Sequence, residues 1–510
     1  PDMAPSNPQV AAGPRAASRG RDALAAARAT AKRPASVPAA GVGGKGGGKK
    51  EEDDPVTRQM VDKRQSRKDN ADSFMAAIDR YRSGAVPGPL AAAFRRGGAA
   101  AVGDYGVPVY IRKRPLFNHE VKKREYDCLT VDPAAAPDYA VVHNCMMHAD
   151  LKRMFMKHCA FPCKRGFSER DDNDKVYNVT TKGLVSKVVR GGIAALFMYG
   201  QTGSGKTYTM SSLEERAVVQ MFHELEGGAG ARVTVAIFEI AGKRCVDLLQ
   251  AGQREVQLKE LESGSMALLG AHEPEVVSPE GLMEVMLGAK SRRATVGTDV
   301  NATSSRSHCV TRIAIHPRGG GRAGNLTLVD CAGSERNADS MYHSAERRKE
   351  TAEINASLYA LRECVRLRRA RAVQVQEEAA TGVPGKHIHV PYRSSQLTRV
   401  LMECFLDDEA DLAVIATVSP AATDIEHSTS TLQTALMMSG APESAAVEHK
   451  SEVERAGLQV APKREIKPGL WTPEDVSAPL RTAQGRLLQG SFHQRHFHQN
   501  RLFWGVFQRG

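Results

Sequence analysis

Eight residues constrain this chain more than any others: Gly200-Gln201-Thr202-Gly203-Ser204-Gly205-Lys206-Thr207. They satisfy the phosphate-binding pattern G-x-x-x-x-G-K-[ST] at every fixed position. The apolar run Ile193 to Tyr199 before them reads as a buried central strand, and the residues after them can begin a helix. A strand feeding a Gly-rich turn that opens a helix aims several backbone N–H groups, and the positive helix end, at one point. A polyphosphate fits there. Lys206 is expected to reach its β- and γ-phosphates, and the Thr207 hydroxyl to ligate Mg²⁺.

At 510 residues the chain has room for several domains, or for one large α/β domain with tails. A hydrophobic fraction of 41% supports a core. No segment approaches the roughly 20 apolar residues of a bilayer span, so a soluble protein is expected. The net charge of +12 and the pI near 9.2 call for an acidic partner. Nucleic acid, an anionic membrane and an acidic protein surface all qualify. No recognisable nucleic-acid module accompanies the basic stretches, so nucleic acid is the weaker choice. Nine cysteines without a regular framework indicate reduced thiols in the cytosol. The Ala/Arg-rich, acid-poor start resembles a transit peptide in composition but lacks an amphipathic pattern.

Residues 1–104 read as a basic, low-complexity extension holding 18 Lys/Arg against 11 Asp/Glu. Within it, Phe74, Ile78 and Tyr81 recur at helical spacing, which predicts a short helix over 72–82. Residues 105–440 read as the folded domain. Strands are expected at Val107–Ile111, Val233–Ile240, Thr311–His316, Leu326–Asp330 and Leu412–Val418. Ile354, Leu358, Leu361 and Val365 mark a helix between two of them. Strands alternating with helices indicate an α/β layered domain with a mainly parallel core. Ala370 to Lys386 reads as a polar loop. Residues 441–510 read as a partly irregular tail ending in the aromatic, His-rich stretch Phe492 to Phe507, with no heptads that would form a stalk.

Two further stretches narrow the chemistry. Asn301-Ala-Thr-Ser304-Ser305-Arg306-Ser307-His308 clusters hydroxyls around one Arg. Leu328-Val-Asp330-Cys-Ala-Gly333-Ser-Glu335-Arg336 is an apolar strand ending in Asp, then a Gly and an acid. Asp330 suits Mg²⁺ held through water, and Gly333 can offer a bare N–H to a γ-phosphate. If their loops close together, Arg306 and Glu335 can pair, sense the γ-phosphate and position an attacking water.

In this order and spacing, these motifs resemble the motor domain of the kinesin family. So do Arg112-Lys113-Arg114-Pro115 and His389-Val-Pro-Tyr-Arg393-Ser-Ser-Gln-Leu397-Thr-Arg399. The resemblance covers about Gly106 to Met438. It implies a P-loop NTPase of kinesin fold, with an eight-stranded, mostly mixed sheet between helices and ATP at one edge. It also implies ATP and Mg²⁺ as ligands, microtubules or tubulin as partner, and microtubule-stimulated ATP hydrolysis in the cytoplasm. On this likeness Arg112, Pro115 and Tyr208 flank the adenine, Ser305 joins Thr207 around Mg²⁺, and Arg306–Glu335 bridges the two switches.

Glu353-Ile-Asn-Ala-Ser-Leu-Tyr-Ala-Leu-Arg362-Glu363-Cys364-Val-Arg366 resembles the main tubulin-binding helix of the thirteenth, internal-motor class, where Lys-Glu-Cys stands in place of Arg362-Glu363-Cys364. That class mostly removes tubulin from microtubule ends. One departure stands out. The class carries Lys-Val-Asp on a probing loop, and this chain has His148-Ala149-Asp150. A histidine is mostly neutral at pH 7, so a fixed charge is weakened. Lys152, Arg153, Lys157, Arg362, Arg366, Arg368, Arg369, Arg393 and Arg399 also lie in stretches resembling tubulin-facing elements. Cys145, His148, His158, Cys159 and Cys163 raise the question of zinc, but their spacing matches no ordinary zinc pattern, so buried free thiols are preferred. The expectation is a depolymerase-type motor. Its rivals are a walking kinesin and a lattice or end anchor with slow ATPase. Any dimer is expected to form through segments outside the motor.

Overall fold

The computed structural model describes residues 62–84, 107–132, 138–150, 152–225, 231–252, 254–262, 264–295, 306–318, 320–334, 345–441 and 443–455. The basic arm before residue 62 and the aromatic stretch Phe492 to Phe507 lie outside them.

In chain order the strands are β1 (Val109–Lys113), β2 (Leu129–Asp132), β3 (Tyr139–Met147), β4 (Met154–Pro162), β5 (Arg165–Phe167), β6 (Ile193–Tyr199), β7 (Arg232–Ala241), β8 (Arg244–Asp247), β9 (Gln257–Glu260), β10 (Met266–Leu269), β11 (Glu275–Val276), β12 (His308–His316), β13 (Gly324–Asp330), β14 (Asp411–Val418) and β15 (Val447–Val453). The main sheet runs β11-β7-β12-β13-β6-β14-β1-β5. From β13 to β5 every pairing is parallel. The β7, β11 and β12 side is antiparallel. The sheet is therefore mixed around a parallel centre. It has nine strands, one more than the resemblance implied, because β8 folds back on β7 and buries Cys245 and Val246.

The continuous apolar run of β6 has a simple cause. Ile193, Ala195, Phe197 and Tyr199 face one core, and Ala194, Leu196 and Met198 face the other. A strand covered on both faces needs no polar alternation. On the second face pack Lys182–Val189, the helix Lys206–Leu225 and the helix Pro279–Thr295, through Val185, Leu213 and Leu282. Gly324 makes the first of these approaches possible, since a Cβ there would sit 1.9 Å from the Val188 carbonyl oxygen.

The first face is covered by Ala345–Thr381 and Ile425–Ser439, through Leu358, Leu361 and Leu432. Ala345–Thr381 is 37 residues long and takes in 370–381 of the segment read as a polar loop, leaving 382–386 as loop. Two causes combine. Ala, Arg, Gln and Glu dominate 370–380, and these are strong helix formers. Arg368 and Arg371 also tie this part down: Arg368 donates to the Ala410 carbonyl at 2.6 Å and Arg371 to the Phe405 carbonyl at 3.1 Å.

A smaller antiparallel sheet, β15-β4-β3-β2, stands beside the main one. Its outer strand, β15, comes from the stretch where the sequence pattern fades. Val447, His449 and Ser451 alternate with charged residues, and charge masked this period-2 signal. Before the main domain, Lys63–Asp69 and Ala71–Ser83 form two helices broken at Asn70. Phe74 and Ile78 are 0% and 1% exposed in the first core, each burial being worth about 1.5–3 kcal/mol. Among the described residues, no helix is long and apolar enough to cross a membrane.

Candidate active site

The parallel centre of the sheet places the site. The register sets Asp330 of β13 beside Met198 and Ala416 of β14 beside Tyr199, so all three strands end at one level. The crevice beyond the carboxyl ends of parallel strands is where such sheets bind ligands. The turn from Gly200 to Gly205 leaves β6 there and enters the helix Lys206–Leu225. Gly200 has φ +154, and a Cβ on it would lie 2.3 Å from the Thr417 carbonyl oxygen. Only glycine fits there. The turn holds its own shape: Ser204 Oγ donates to the Gln201 carbonyl and lies 2.7 Å from Thr417 Oγ1.

Lys206 is buried, and its Nζ donates to the Gln201 carbonyl at 2.9 Å. Thr207 Oγ1 donates to Asp330 Oδ2 at 2.7 Å. Asp330 Oδ1 is buried without a hydrogen-bond partner. Gly333 follows in the loop that leaves β13, where Ser334 N donates to the Gly200 carbonyl at 3.1 Å. Lys206, Thr207, Asp330 and the loop carrying Gly333 therefore meet at the strand ends. Thr202 and Gly203 lie in the same turn. Arg306 sits 3.8 Å from Glu350 of the long helix, while Ser305 and Glu335 lie outside the described residues.

A cleft lined by Arg112, Pro115, Gly205 and Tyr208 opens beside the turn. The Arg112 guanidinium is 5.8 Å from the Tyr208 ring centre and donates to Thr209 Oγ1 at 2.9 Å. Tyr208 is 69% exposed, a wet aromatic face beside a phosphate-type loop. Arg114 straps the loop from outside by donating to the Gly203 carbonyl at 2.8 Å.

Sequence reasoning missed the buried polar layer beneath this site. Arg293 donates to Glu239 at 3.1 Å and to the Ser307 carbonyl at 2.9 Å, and lies 3.5 Å from Asp330. In the sequence it is one Arg of a Ser-Arg-Arg run, with no motif to single it out.

The expected tubulin-facing residues fall on two regions. Ala345–Thr381 packs against Tyr392–Ser394 and Gln396–Val400, which groups Arg362, Glu363, Arg366, Arg393 and Arg399 on adjoining elements. Arg366 pairs with Glu363 at 2.9 Å, and Arg393 with Glu260 at 2.7 Å. Arg362 lies over the Tyr359 ring at 4.6 Å, and Arg399 donates to the Leu258 carbonyl at 2.6 Å. The second region is the β3–β4 hairpin tip. There Asp150 accepts from Lys152 N, Arg153 N and Arg153 Nε. The Arg153 amide, its side chain and the Lys152 amide hold the Asp150 carboxyl well below its usual range. His148 lies 2.9 Å from Glu452 of β15.

The cysteine and histidine group falls around this hairpin. Cys159 lies within β4, and burial pushes its thiol up to about 12. Burial pushes Cys163 up as well. Cys145, Cys159 and Cys163 are free thiols, and no metal-holding group of three or more ligands occurs among the described residues.

Residues 112–439 match the kinesin motor domain family. Diatom spindle kinesin-1 of Cylindrotheca fusiformis is 35% identical over 327 residues, covering 64% of this chain and 49% of that protein. Kinesin-like protein KIF24 of Homo sapiens is 35% identical over 336 residues, covering 64% of this chain and 23% of that protein. Kinesin-like protein KIN-13B of Arabidopsis thaliana is 33% identical over 337 residues, covering 64% and 46%. The chain spans about half or less of the length of these relatives. The family match takes in the Gly-rich turn, the Asp330 strand end and the long helix together, and the chain belongs to the kinesin family.

Proposed function

We propose that this chain is an ATP-hydrolysing motor that binds microtubules and acts on tubulin at their ends. The observation that carries the reading is the meeting of Lys206, Thr207 and Asp330 at the mouth of β6, with Asp330 Oδ1 buried and unpartnered. A hydroxyl and a carboxylate are hard oxygen donors, and they fit Mg²⁺. Thr207 and Ser305 would hold the ion, with Asp330 acting through water. An ion held by these residues would supply positive charge against the β- and γ-phosphates.

The chain's own groups do the rest. Lys206 and the N–H groups of 200–205 bind the phosphates, and the Gly333 N–H orients the terminal one. Arg306 and Glu335 position the attacking water, while Arg112, Pro115 and Tyr208 flank the adenine. Catalysis is positioning and charge stabilisation, with turnover stimulated by microtubules. Lys152, Arg153, Arg366 and Arg393 offer positive charge to acidic tubulin in the cytoplasmic microtubule network. Action at ends is supported by Arg362-Glu363-Cys364 on the long helix and by the likeness to KIN-13B.

The test is the length of stabilised fluorescent microtubules over time with this protein and ATP, beside a Glu335→Ala variant. ATP-dependent shortening that fails in the variant is expected. A second reading, an anchor, is favoured by one contact: His148 stands where the thirteenth class carries Lys and is engaged by Glu452. Binding without shortening or gliding would establish the anchor, and gliding on a coated surface would establish a walking motor.

A further inference from the structure

His308 opens β12 and is 2% exposed. Its Nδ1 accepts the Ala332 backbone N–H at 3.1 Å. An acceptor at Nδ1 leaves the ring proton on Nε2, which lies 2.7 Å from Ser357 Oγ. Ser357 in turn donates to the Ile354 carbonyl one turn earlier in the long helix, at 2.7 Å. Burial first, then the nearby Arg293 and Lys206 cations, lower the imidazole to about 3 and keep it neutral. The ring is thus a two-ended connector in one tautomer. One end holds the loop leaving Asp330, a single residue before Gly333. The other holds the helix Ala345–Thr381, on which Arg362, Glu363 and Arg366 lie.

We propose that His308 is a positioning residue that couples the loop 331–334 to the helix Ala345–Thr381, so that lattice contact at the helix reaches the nucleotide site. This rests on the microtubule-dependent ATPase reading above. An aromatic ring does not lengthen. If the loop moves, either the helix follows or a buried donor or acceptor loses its partner, at a cost far above that of a solvated bond. Leu358 and Leu361 anchor the helix in the core beside Ser357, so displacement there is shared along the helix.

The experiment compares ATP turnover with and without stabilised microtubules, and affinity for a fluorescent adenine nucleotide. The full chain, Ser357→Ala, His308→Gln and the double variant are measured together. Ser357→Ala removes the helix-side acceptor and puts a better helix former in its place. Basal turnover and nucleotide affinity are expected to stay within about twofold, while stimulation by microtubules falls about fivefold, the size of one buried neutral hydrogen bond. His308→Gln keeps a donor towards Ser357 and loses the acceptor for Ala332, so stimulation falls there too. The double variant loses no more than the worse single, because both cut one bridge. Unchanged stimulation in Ser357→Ala, or basal turnover falling in proportion, overturns the coupling. A native chain without stimulation overturns the ATPase reading and the coupling with it. A stimulated native chain beside an unaffected Ser357→Ala overturns the coupling alone.

Discussion

Thr207 Oγ1 donates to Asp330 Oδ2 at 2.7 Å, joining the first residues of the helix after the Gly-rich turn to the end of β13. The other carboxylate oxygen is buried without a hydrogen-bond partner. Asp330→Asn keeps the shape and removes the charge. Affinity for nucleotide in the presence of Mg²⁺ should fall about tenfold or more, since the carboxylate that would orient Thr207 and the ion's water is lost. Titrating Mg²⁺ against a bound fluorescent nucleotide measures this, and native affinity in the variant would refute the assignment of Asp330.

Arg67 is 2% exposed and ties the helix before the main domain to two distant segments, β3 and residues 422–426. It pairs with Glu426 at 2.6 Å and donates to the Cys145 carbonyl at 3.1 Å and the Ala422 carbonyl at 3.2 Å. Arg67→Ala leaves these acceptors unpaired. The expected loss is about 3 kcal/mol, the lower end for breaking a buried pair, because Glu426 is partly solvated. A shift of the urea midpoint without change in slope reports it, and a midpoint equal to the native one would contradict the assignment.

Three buried histidines make stability depend on pH. Burial, then Arg293 and Lys206, lower His308 to about 3. Burial, then His449, lower His158 to about 4. Burial and its neighbour His158 hold His143 well below its ordinary value. Each is neutral in the fold where the unfolded chain takes up a proton. Stability is therefore full above about pH 6.5 and declines as pH falls towards 4, by about 1.4 kcal/mol per pH unit for a fully buried imidazole. Melting temperatures between about pH 7 and pH 5 should follow this slope, and His158→Gln should flatten it. A flat native profile would contradict the neutral assignment.

Arg368 and Arg371 donate to carbonyls at the end of Met402–Leu406 and just beyond it, and hold the far half of the long helix against the body. Replacing both by Ala should speed amide exchange in residues 370–381 and leave 354–365 protected. Each cut charge-assisted bond costs about 1.5–3 kcal/mol. Equal protection in both variant and native protein would show that helix propensity alone sustains the extension.

The parts of the site that are local in the chain were legible. Gly200 to Thr207 and Asp330 to Gly333 each carry their geometry within a few residues, as turn chemistry and an apolar run. The buried connections were not. Arg293 and Asp330 are 37 residues apart, His308 and Ser357 are 49 apart, and Arg67 and Glu426 are 359 apart. Nothing in the flanking residues of either partner names the other. The hairpin tip stands between these cases. His148-Ala149-Asp150 could be seen as a departure, but the engagement of His148 by Glu452 depends on β15 pairing with β4.

Sequence alone determined that this chain has a phosphate-holding turn after a buried strand, two loops able to face it, and a helix with one apolar face around Ile354 to Val365. Those features depend on periodicities and short-range chemistry, which a chain carries wherever it folds. Tertiary structure decided which strand ends share a level, which tautomer His308 holds, and how far the long helix extends. Each of these is set by register and by carbonyls or carboxylates brought in from distant segments. Their energies exist only once the sheet has closed and water has left.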